Sequence, residues 1–374
     1  MFMTTDFSAR LKALTNEPSR DDAHDPNRLA RVAKTRAEMM GQGIAIVETL
    51  AREAQVLNQV ATQLRARRIS RVVIVGCGDS WFIGTAVRHA WEVLAGVPVE
   101  AAQALDYACY GSVTANSDTL VIGISAGGST GAVMAALRAG QARGAFAIGV
   151  SNTPGSAILT EFDAALVVQA ARRGWPTQSS TATMALLIRL AQRWADTPLA
   201  EAVGADLDLI PATVDALAQS LDNQMKLIAS EAASAGLVLF SGLGPNYAAA
   251  AFGAAKVKEL SPIHALAMQL EEYHHYRAQK PDEPLLLVAT DTASYERALD
   301  TALVSSARGG WTVAIVAQHL PEIESRVQHV VRVPVVRDEL AAFVASVPLH
   351  LFAYHFAMAR DALGMGCADT GIGN

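Results

Sequence analysis

From residue 71 onward, short apolar runs alternate with amphipathic stretches. RVVIVG (71–76), DTLVIGIS (118–125), AFAIGVSN (145–152) and AALVVQA (164–170) are continuous apolar runs, and VPVEAAQAL (97–105) offers a further one. A strand with one wet face alternates apolar and polar residues. Unbroken runs instead predict parallel strands covered by helices on both faces. Helical spacing fills the gaps at 80–96, 129–144 and 180–196. Ahead of this unit, residues 28–69 carry apolar positions at mixed three and four spacing without proline, which predicts one or two amphipathic helices. Residues 1–27 are polar, with Pro18, Pro26 and several aspartates, and read as a mobile arm.

The pattern then repeats. Gly242 in GLVLFSGLG follows Gly76 by 166 positions, EPLLLVATD follows DTLVIGIS by 165, and WTVAIVAQ follows AFAIGVSN by 166. The closing helices STATMALLIRLA and AFVASVPLHLFAYHFAMA fall at a similar distance. One offset shared by four elements predicts an internal duplication of a single α/β unit. The expected class is therefore α/β, with two tandem doubly wound (flavodoxin-like) parallel-sheet domains at 70–203 and 236–374, joined by a helical linker at 204–235.

Composition narrows the function. The chain has 374 residues, 51% of them hydrophobic and 18% charged, enough apolar matter for two cores. A net charge of −6 argues against a nucleic-acid partner but leaves room for an anionic small ligand in a locally positive pocket. Cys77, Cys109 and Cys367 are odd in number and widely spaced, so neither a disulfide framework nor a zinc site is expected, and a reducing cytoplasm fits. The first residues lack the apolar core of a signal peptide, and no uninterrupted apolar stretch reaches about 18 residues, so no membrane partner is expected.

Ligands of open parallel sheets bind beyond the carboxyl ends of the strands. Two turns there are unusual: GCGDS (76–80) and SAGGST (125–130). Both join glycines, which let backbone approach an anion, to hydroxyls, and both lead into a helix N-terminus. Such residues also make ordinary turns and caps. Two of them at neighbouring strand ends favour an oxyanion cradle. Neither is a nucleotide motif, since no Gly-Lys-Ser/Thr follows and the third glycine of GxGxxG is misplaced.

The second half has VATDTAS (288–294) where the first has SAGGST. Its titratable groups gather in KVKELSPIHALAMQLEEYHHYR (256–277). Glu259 follows an alanine-rich helix, where a partly buried carboxyl gains the raised pKa of a general base. Lys256 and Glu259 also fit a plain i, i+3 surface pair. HExxH is absent, so no metal is expected.

These motifs, with QSSTAT (178–183), KVKELSPIHA (256–265), EEYHH (271–275) and VPLHLFAYHFAMARD (347–361), resemble the sugar isomerase (SIS) domain family over residues 30–374. The likeness is to the isomerase half of glucosamine-6-phosphate synthase and to stand-alone amino-sugar isomerases, deaminases and fructosamine deglycases. It implies that Ser80, Ser125 and Thr130 hold a phosphate-like group, with Ser129 assisting, and that Cys77, Gly78 and Ser180 line the sugar. Glu259 is then the base for proton transfer between C1 and C2. His275 assists ring opening from a neighbouring subunit, oriented by Glu272, which implies a homodimer. No cofactor is expected, because a base and a polarised carbonyl suffice for enediol chemistry.

The sequence also departs from the family. Gly127 and Gly128 occupy the centre of a turn that is usually SxSGxT, so one hydroxyl donor is missing and a sulfonated or carboxylated sugar becomes thinkable. Tyr276 and Arg277 replace Gly-Pro, and Arg277 and Lys256 offer cationic substrate contacts. The family's C-terminal Schiff-base lysine would fall beyond Asn374. The 27-residue arm is too short for a glutaminase half. The expected activity is an aldose–ketose isomerase, or a deaminase or deglycase sharing the enediol step. A sulfosugar isomerase and a non-catalytic sugar-phosphate sensor are the alternatives.

Overall fold

A computed structural model of the chain describes residues 26–276 and 279–366. Up to residue 25 the expected arm lies outside the described residues, and Pro26 and Asn27 open a helix instead. Three helices lead the fold: α1 (Pro26–Met39), α2 (Gln42–Arg52) and α3 (Ala54–Arg65). The expected one or two helices become three because the chain breaks at Gly41 and Glu53, neither of which makes a side-chain cap bond. Each buries one apolar stripe, such as Leu57, Val60 and Leu64 on α3.

The first unit follows as β1 (Arg71–Gly76), α4 (Asp79–Ala95), β2 (Val99–Gln103), α5 (Ala104–Cys109), β3 (Thr119–Ile124), α6 (Gly131–Gln141), β4 (Phe146–Ser151), α7 (Ala157–Thr160), β5 (Ala164–Val167) and α8 (Gln178–Ala195). Its strands lie in the order β2-β1-β3-β4-β5, all parallel. β1, β3 and β4 are buried almost throughout, which is why their sequences show no alternation. A single helix, α9 (Pro198–Ala232), then runs for 35 residues with Pro211 inside it.

The second unit repeats the first: β6 (Leu237–Gly242), α10 (Pro245–Leu260), β7 (His264–Gln269), α11 (Glu272–Tyr276), β8 (Pro284–Ala289), α12 (Thr292–Ala307), β9 (Trp311–Val316), α13 (Pro321–Glu324), β10 (His329–Arg332) and α14 (Ala341–Ala362). Its parallel order, β7-β6-β8-β9-β10, is the order of the first sheet. Strands β1 to β5 begin at 71, 99, 119, 146 and 164, and β6 to β10 at 237, 264, 284, 311 and 329, so the offset stays at 165 or 166 throughout.

The unit boundary is a helical core. α10 packs against α14 of its own unit and against α4 of the first. The stretch Asp338–Ala362 is long and apolar enough to span a membrane, although no such stretch was expected from the sequence. Its apolar window is 94% buried inside the fold, against α9 and α10, as in a core helix of a packed protein. The leading helices also protect the edge strand β5. Glu53 accepts the Val167 amide at 3.1 Å, and Thr49 Oγ1 accepts the Gln169 amide at 2.9 Å. Side chains thus satisfy donors that an open sheet edge leaves unpaired.

Candidate active site

Four strand ends of the first sheet and one helix of the second unit meet at a cavity of about 220 Å³. A space of that size suits a small molecule rather than a polymer segment. The GCGDS turn supplies Cys77, Gly78, Asp79 and Ser80 to its wall. Gly76 must lack a side chain, because a Cβ there would fall 2.4 Å from the Ser80 carbonyl carbon. That close approach lets α4 start directly behind the strand. Ser151 and Asn152 line the cavity from the end of β4, and Ser179, Ser180 and Thr183 from the first turns of α8.

The SAGGST turn stands beside this wall, through Ile124 and Ala126. Ser125 is buried and organises the turn. Its Oγ accepts the Gly128 amide at 3.1 Å and the Thr130 amide at 3.4 Å, and shares a hydrogen bond with Thr130 Oγ1 at 2.8 Å. Gly128 has φ of +75°, and a Cβ there would fall 2.0 Å from Ser156 Oγ. Gly127 is half-buried, whereas Ser129 and Thr130 are exposed ahead of the N-terminus of α6. An exposed hydroxyl pair at a helix N-terminus is the arrangement that binds an oxyanion.

Glu259 reaches the cavity from the second unit. α10 is alanine-rich and buried on nearly every side, so small side chains let it fit between α14 and α4. In its last turns Lys256 is fully buried and hydrogen-bonds Glu259. The same ammonium lies 2.7 Å from Asp79 Oδ2. At that distance the ammonium is paired with Asp79 as well as with Glu259. Two carboxylates therefore share one buried cation.

Burial pushes the Glu259 carboxyl up. Lys256 pulls it down, Asp79 pushes it up again, and the balance stands at about 7. A quarter of the side chain remains exposed, on the cavity side. Glu259 is thus walled in by protein yet open to a ligand. Burial also pulls the Lys256 ammonium down, but its two carboxylates outweigh that and hold it above the ordinary lysine range. Beneath Lys256, His350 on α14 is fully buried with neither ring nitrogen hydrogen-bonded. Burial and the neighbouring ammonium hold it neutral, with its pKa down at about 3.

The leading helices fix the loop that carries the cavity into α8. Glu38 accepts the amides of Arg173 and, at 2.9 Å, Gly174, while Thr35 Oγ1 accepts the Trp175 amide at 2.9 Å. Thr181 donates to Gln42 at 2.6 Å. The next residues, Pro176, Ser179 and Ser180, form the cavity wall.

Of the residues singled out in the sequence, Cys77, Gly78, Ser80, Ser180 and Glu259 come together in this cavity. Ser125, Gly127, Ser129 and Thr130 form the adjoining turn. Lys256 is not on the wall: its ammonium faces two carboxylates rather than the cavity. His275 and Glu272 lie elsewhere, exposed on α11. The carboxylate beside His275 is that of Glu271, 3.4 Å from Nε2, not Glu272. Arg277 lies outside the described residues. Sequence reasoning missed Asp79, Ser151, Asn152, Ser179 and Thr183. Asp79 stood within GCGDS, and Ser151 and Asn152 close the third apolar run, so both signals were present.

The matching turn of the second unit is built differently. Asn246 stands where the first unit has Ser80, and it donates to Asp291 at 2.5 Å and accepts from Thr290 at 2.6 Å. Asp291 caps α12 through Ser294. A buried acidic side chain thus stands beside this turn, where the first unit presents hydroxyls.

Paired doubly wound units with one anion-type cradle, and a carboxyl delivered across the boundary between them, define a class of small-ligand α/β proteins. The chain belongs to the SIS domain family, whose model matches residues 64–192 and 232–360. Curated relatives include the isomerizing glutamine–fructose-6-phosphate aminotransferases of Gloeobacter violaceus and Aquifex aeolicus. The first is 30% identical over 303 residues, 78% of this chain and 49% of the relative. The second is 28% identical over 322 residues, 86% and 54%. The chain spans about half the length of these relatives. The C-terminal domain of the Francisella tularensis glucosamine–fructose-6-phosphate aminotransferase superposes with a TM-score of 0.77 at 24% identity, covering 94% of this chain and 99% of that one. Tagatose-6-phosphate ketose/aldose isomerase from Escherichia coli gives 0.72 at 18% identity, covering 91% and 95%. At these identities the likeness is one of fold.

Proposed function

We propose that this chain is an enzyme of the aldose–ketose isomerase type, or a deaminase or deglycase sharing its enediol step, acting on a small anionic sugar. The observation that carries this reading is Glu259: a carboxyl on the cavity wall with its pKa raised to about 7. A carboxyl whose proton affinity burial raises towards neutral pH is suited to taking a proton from carbon. Glu259 takes the proton from one carbon and returns it to its neighbour, while the carbonyl and hydroxyl oxygens exchange a proton. Nothing is oxidised or reduced overall. The turns at 76–80 and 125–130 hold the anionic end, with Ser80, Ser129 and Thr130 as donors, Ser125 donating to Thr130 and so freeing the Thr130 proton for the anion, and Gly127 leaving room. Cys77, Gly78 and Ser180 line the sugar. His275, exposed on its own chain, assists ring opening in the site of a second copy.

The relatives' names agree with this class: one is an isomerizing aminotransferase, another a ketose/aldose isomerase, and a third, from Thermotoga maritima, a glucosamine-6-phosphate deaminase. Gly127 supports a variant in which the anion is a sulfonate, because the turn offers one hydroxyl fewer than a doubly charged phosphate would use. Incubation with sugar phosphates, amino-sugar phosphates, fructosamine phosphates and a sulfosugar, followed by NMR of the products, tests the reading. Conversion of one class identifies the reaction. Saturable binding of a sugar without conversion would instead mark a sensor.

A further inference from the structure

Glu259 and Lys256 lie one helical turn apart on α10, so their pairing is local. Asp79 is different. It is the first residue of α4, in the other unit, and its carboxylate reaches across the unit boundary to the same ammonium. Lys256 is fully buried, Asp79 is 16% exposed and Glu259 25% exposed, so water screens this cluster poorly. The three groups carry one negative charge in excess when all are ionised, and a proton on one carboxylate relieves it. Both carboxylates border the cavity, and Glu259 is the more exposed of the two.

We infer that Asp79 is a positioning residue for the base: by claiming part of the Lys256 charge across the unit boundary, it keeps Glu259 basic enough to accept a carbon-bound proton at neutral pH. The inference rests on the reading of Glu259 as that base. The burial and the opposing pulls of Lys256 and Asp79 on Glu259 agree with it.

The other charged neighbours are few. α1 contributes Arg31, which lowers Glu259, and Glu38, whose charge is coupled to Lys256. α14 contributes His350, held neutral beside Lys256. The loop before α8 contributes Arg172, which acts on Glu38. β6 and β8 carry no ionisable side chain, and His264 on β7 is exposed. Asp338, before α14, acts on Asp291 and Tyr295 rather than on Glu259. Asp79 is thus the like charge that opposes Lys256 at the base.

The test is the pH profile of kcat/KM for wild type, Asp79→Asn and Asp79→Ser, on whichever sugar the product survey identifies. Removing the Asp79 charge leaves Lys256 wholly to Glu259, so the acid limb should move to lower pH by about one unit and the plateau should fall as the base weakens. Ionisation of the substrate itself is common to all three proteins and cannot produce the shift. Asp79→Ser keeps a polar group at the helix start and serves if the Asn variant misfolds. An acid limb that stays in place or moves upward overturns the inference, as does a wild-type limb at the ordinary glutamate value near 4.3. Glu259→Gln separates the two claims. If it retains turnover, the reading of the base is wrong. If it is inactive while the Asp79 limb is unmoved, only the role of Asp79 falls.

Discussion

The Nζ atom of Lys256 lies 2.7 Å from Oδ2 of Asp79, although the two residues belong to different α/β units. This contact joins the turn after β1 to the helix that carries Glu259, so the geometry of the cavity depends on how the units are docked. It also places a second carboxylate beside a buried base, with consequences for stability as well as for chemistry.

The first consequence concerns pH. The folded Glu259 carboxyl stands at about 7, above its unfolded value of roughly 4.3. A raised pKa means stabilisation fully present below the unfolded value and lost as pH climbs through the folded one. Glu259→Gln mimics the protonated form and should remove that loss. In urea unfolding, the variant should match wild type at pH 4.5 and exceed it at pH 8 by on the order of 1–2 kcal/mol. Equal stability at both pH values would contradict the burial account of Glu259.

The turn makes a second prediction. Ser125→Ala deprives two backbone amides and Thr130 of their shared partner, at a cost of about 1–2 kcal/mol. Sugar binding measured by calorimetry should weaken at least tenfold. Gly128→Ala should do more, since φ of +75° and the nearby Ser156 oxygen both oppose a side chain. Unchanged affinity in both variants would remove this turn from the binding site.

Glu38 offers a third. Its carboxylate holds the amides of Arg173 and Gly174, and no hydrogen bond reaches its second oxygen. Glu38→Ala leaves the buried Gly174 amide unpaired, costing about 1–3 kcal/mol, and frees the part-buried Arg173 amide as well. The loop leading to Pro176 and Ser180 should loosen, so hydrogen exchange across 171–177 should quicken and KM should rise more than kcat falls. Exchange that stays as slow as in wild type would show that α1 does not clamp the loop.

His350 gives a fourth. Its folded pKa of about 3 lies below the unfolded value of roughly 6.5. Such a group contributes stability above the unfolded value and loses it as pH falls through the folded one. His350→Leu has nothing to protonate and removes two unpaired buried nitrogens. It should therefore unfold at higher urea than wild type at pH 5, with a smaller gain at pH 8. A variant less stable at pH 5 would point to a polar role for the imidazole.

The strands were legible because parallel strands buried on both faces need unbroken apolar runs, and the duplication because both copies keep their spacing. The breaks at Gly41 and Glu53 were not legible, since neither carries a capping signature. α9 runs through Pro211, where a stop would be expected, because packing on α14 compensates for the missing donor. The turns GCGDS and SAGGST and the carboxyl of Glu259 could be picked out by residue type. The Asp79–Lys256 contact could not: sequence spacing reveals only partners on one helix, and Lys256 read as half of a surface pair or as a substrate group. Nor does the sequence distinguish Glu271 from Glu272 as neighbour of His275, since both lie within a turn of it.

Whether Glu259 moves the proton is read from solvent deuterium incorporation at C1 or C2 of the bound sugar, followed by NMR in D2O for wild type and Glu259→Gln. Wild type should incorporate deuterium and the variant should not, with sugar affinity retained because the anion turns are intact. Incorporation at an undiminished rate by Glu259→Gln would show that another group moves the proton.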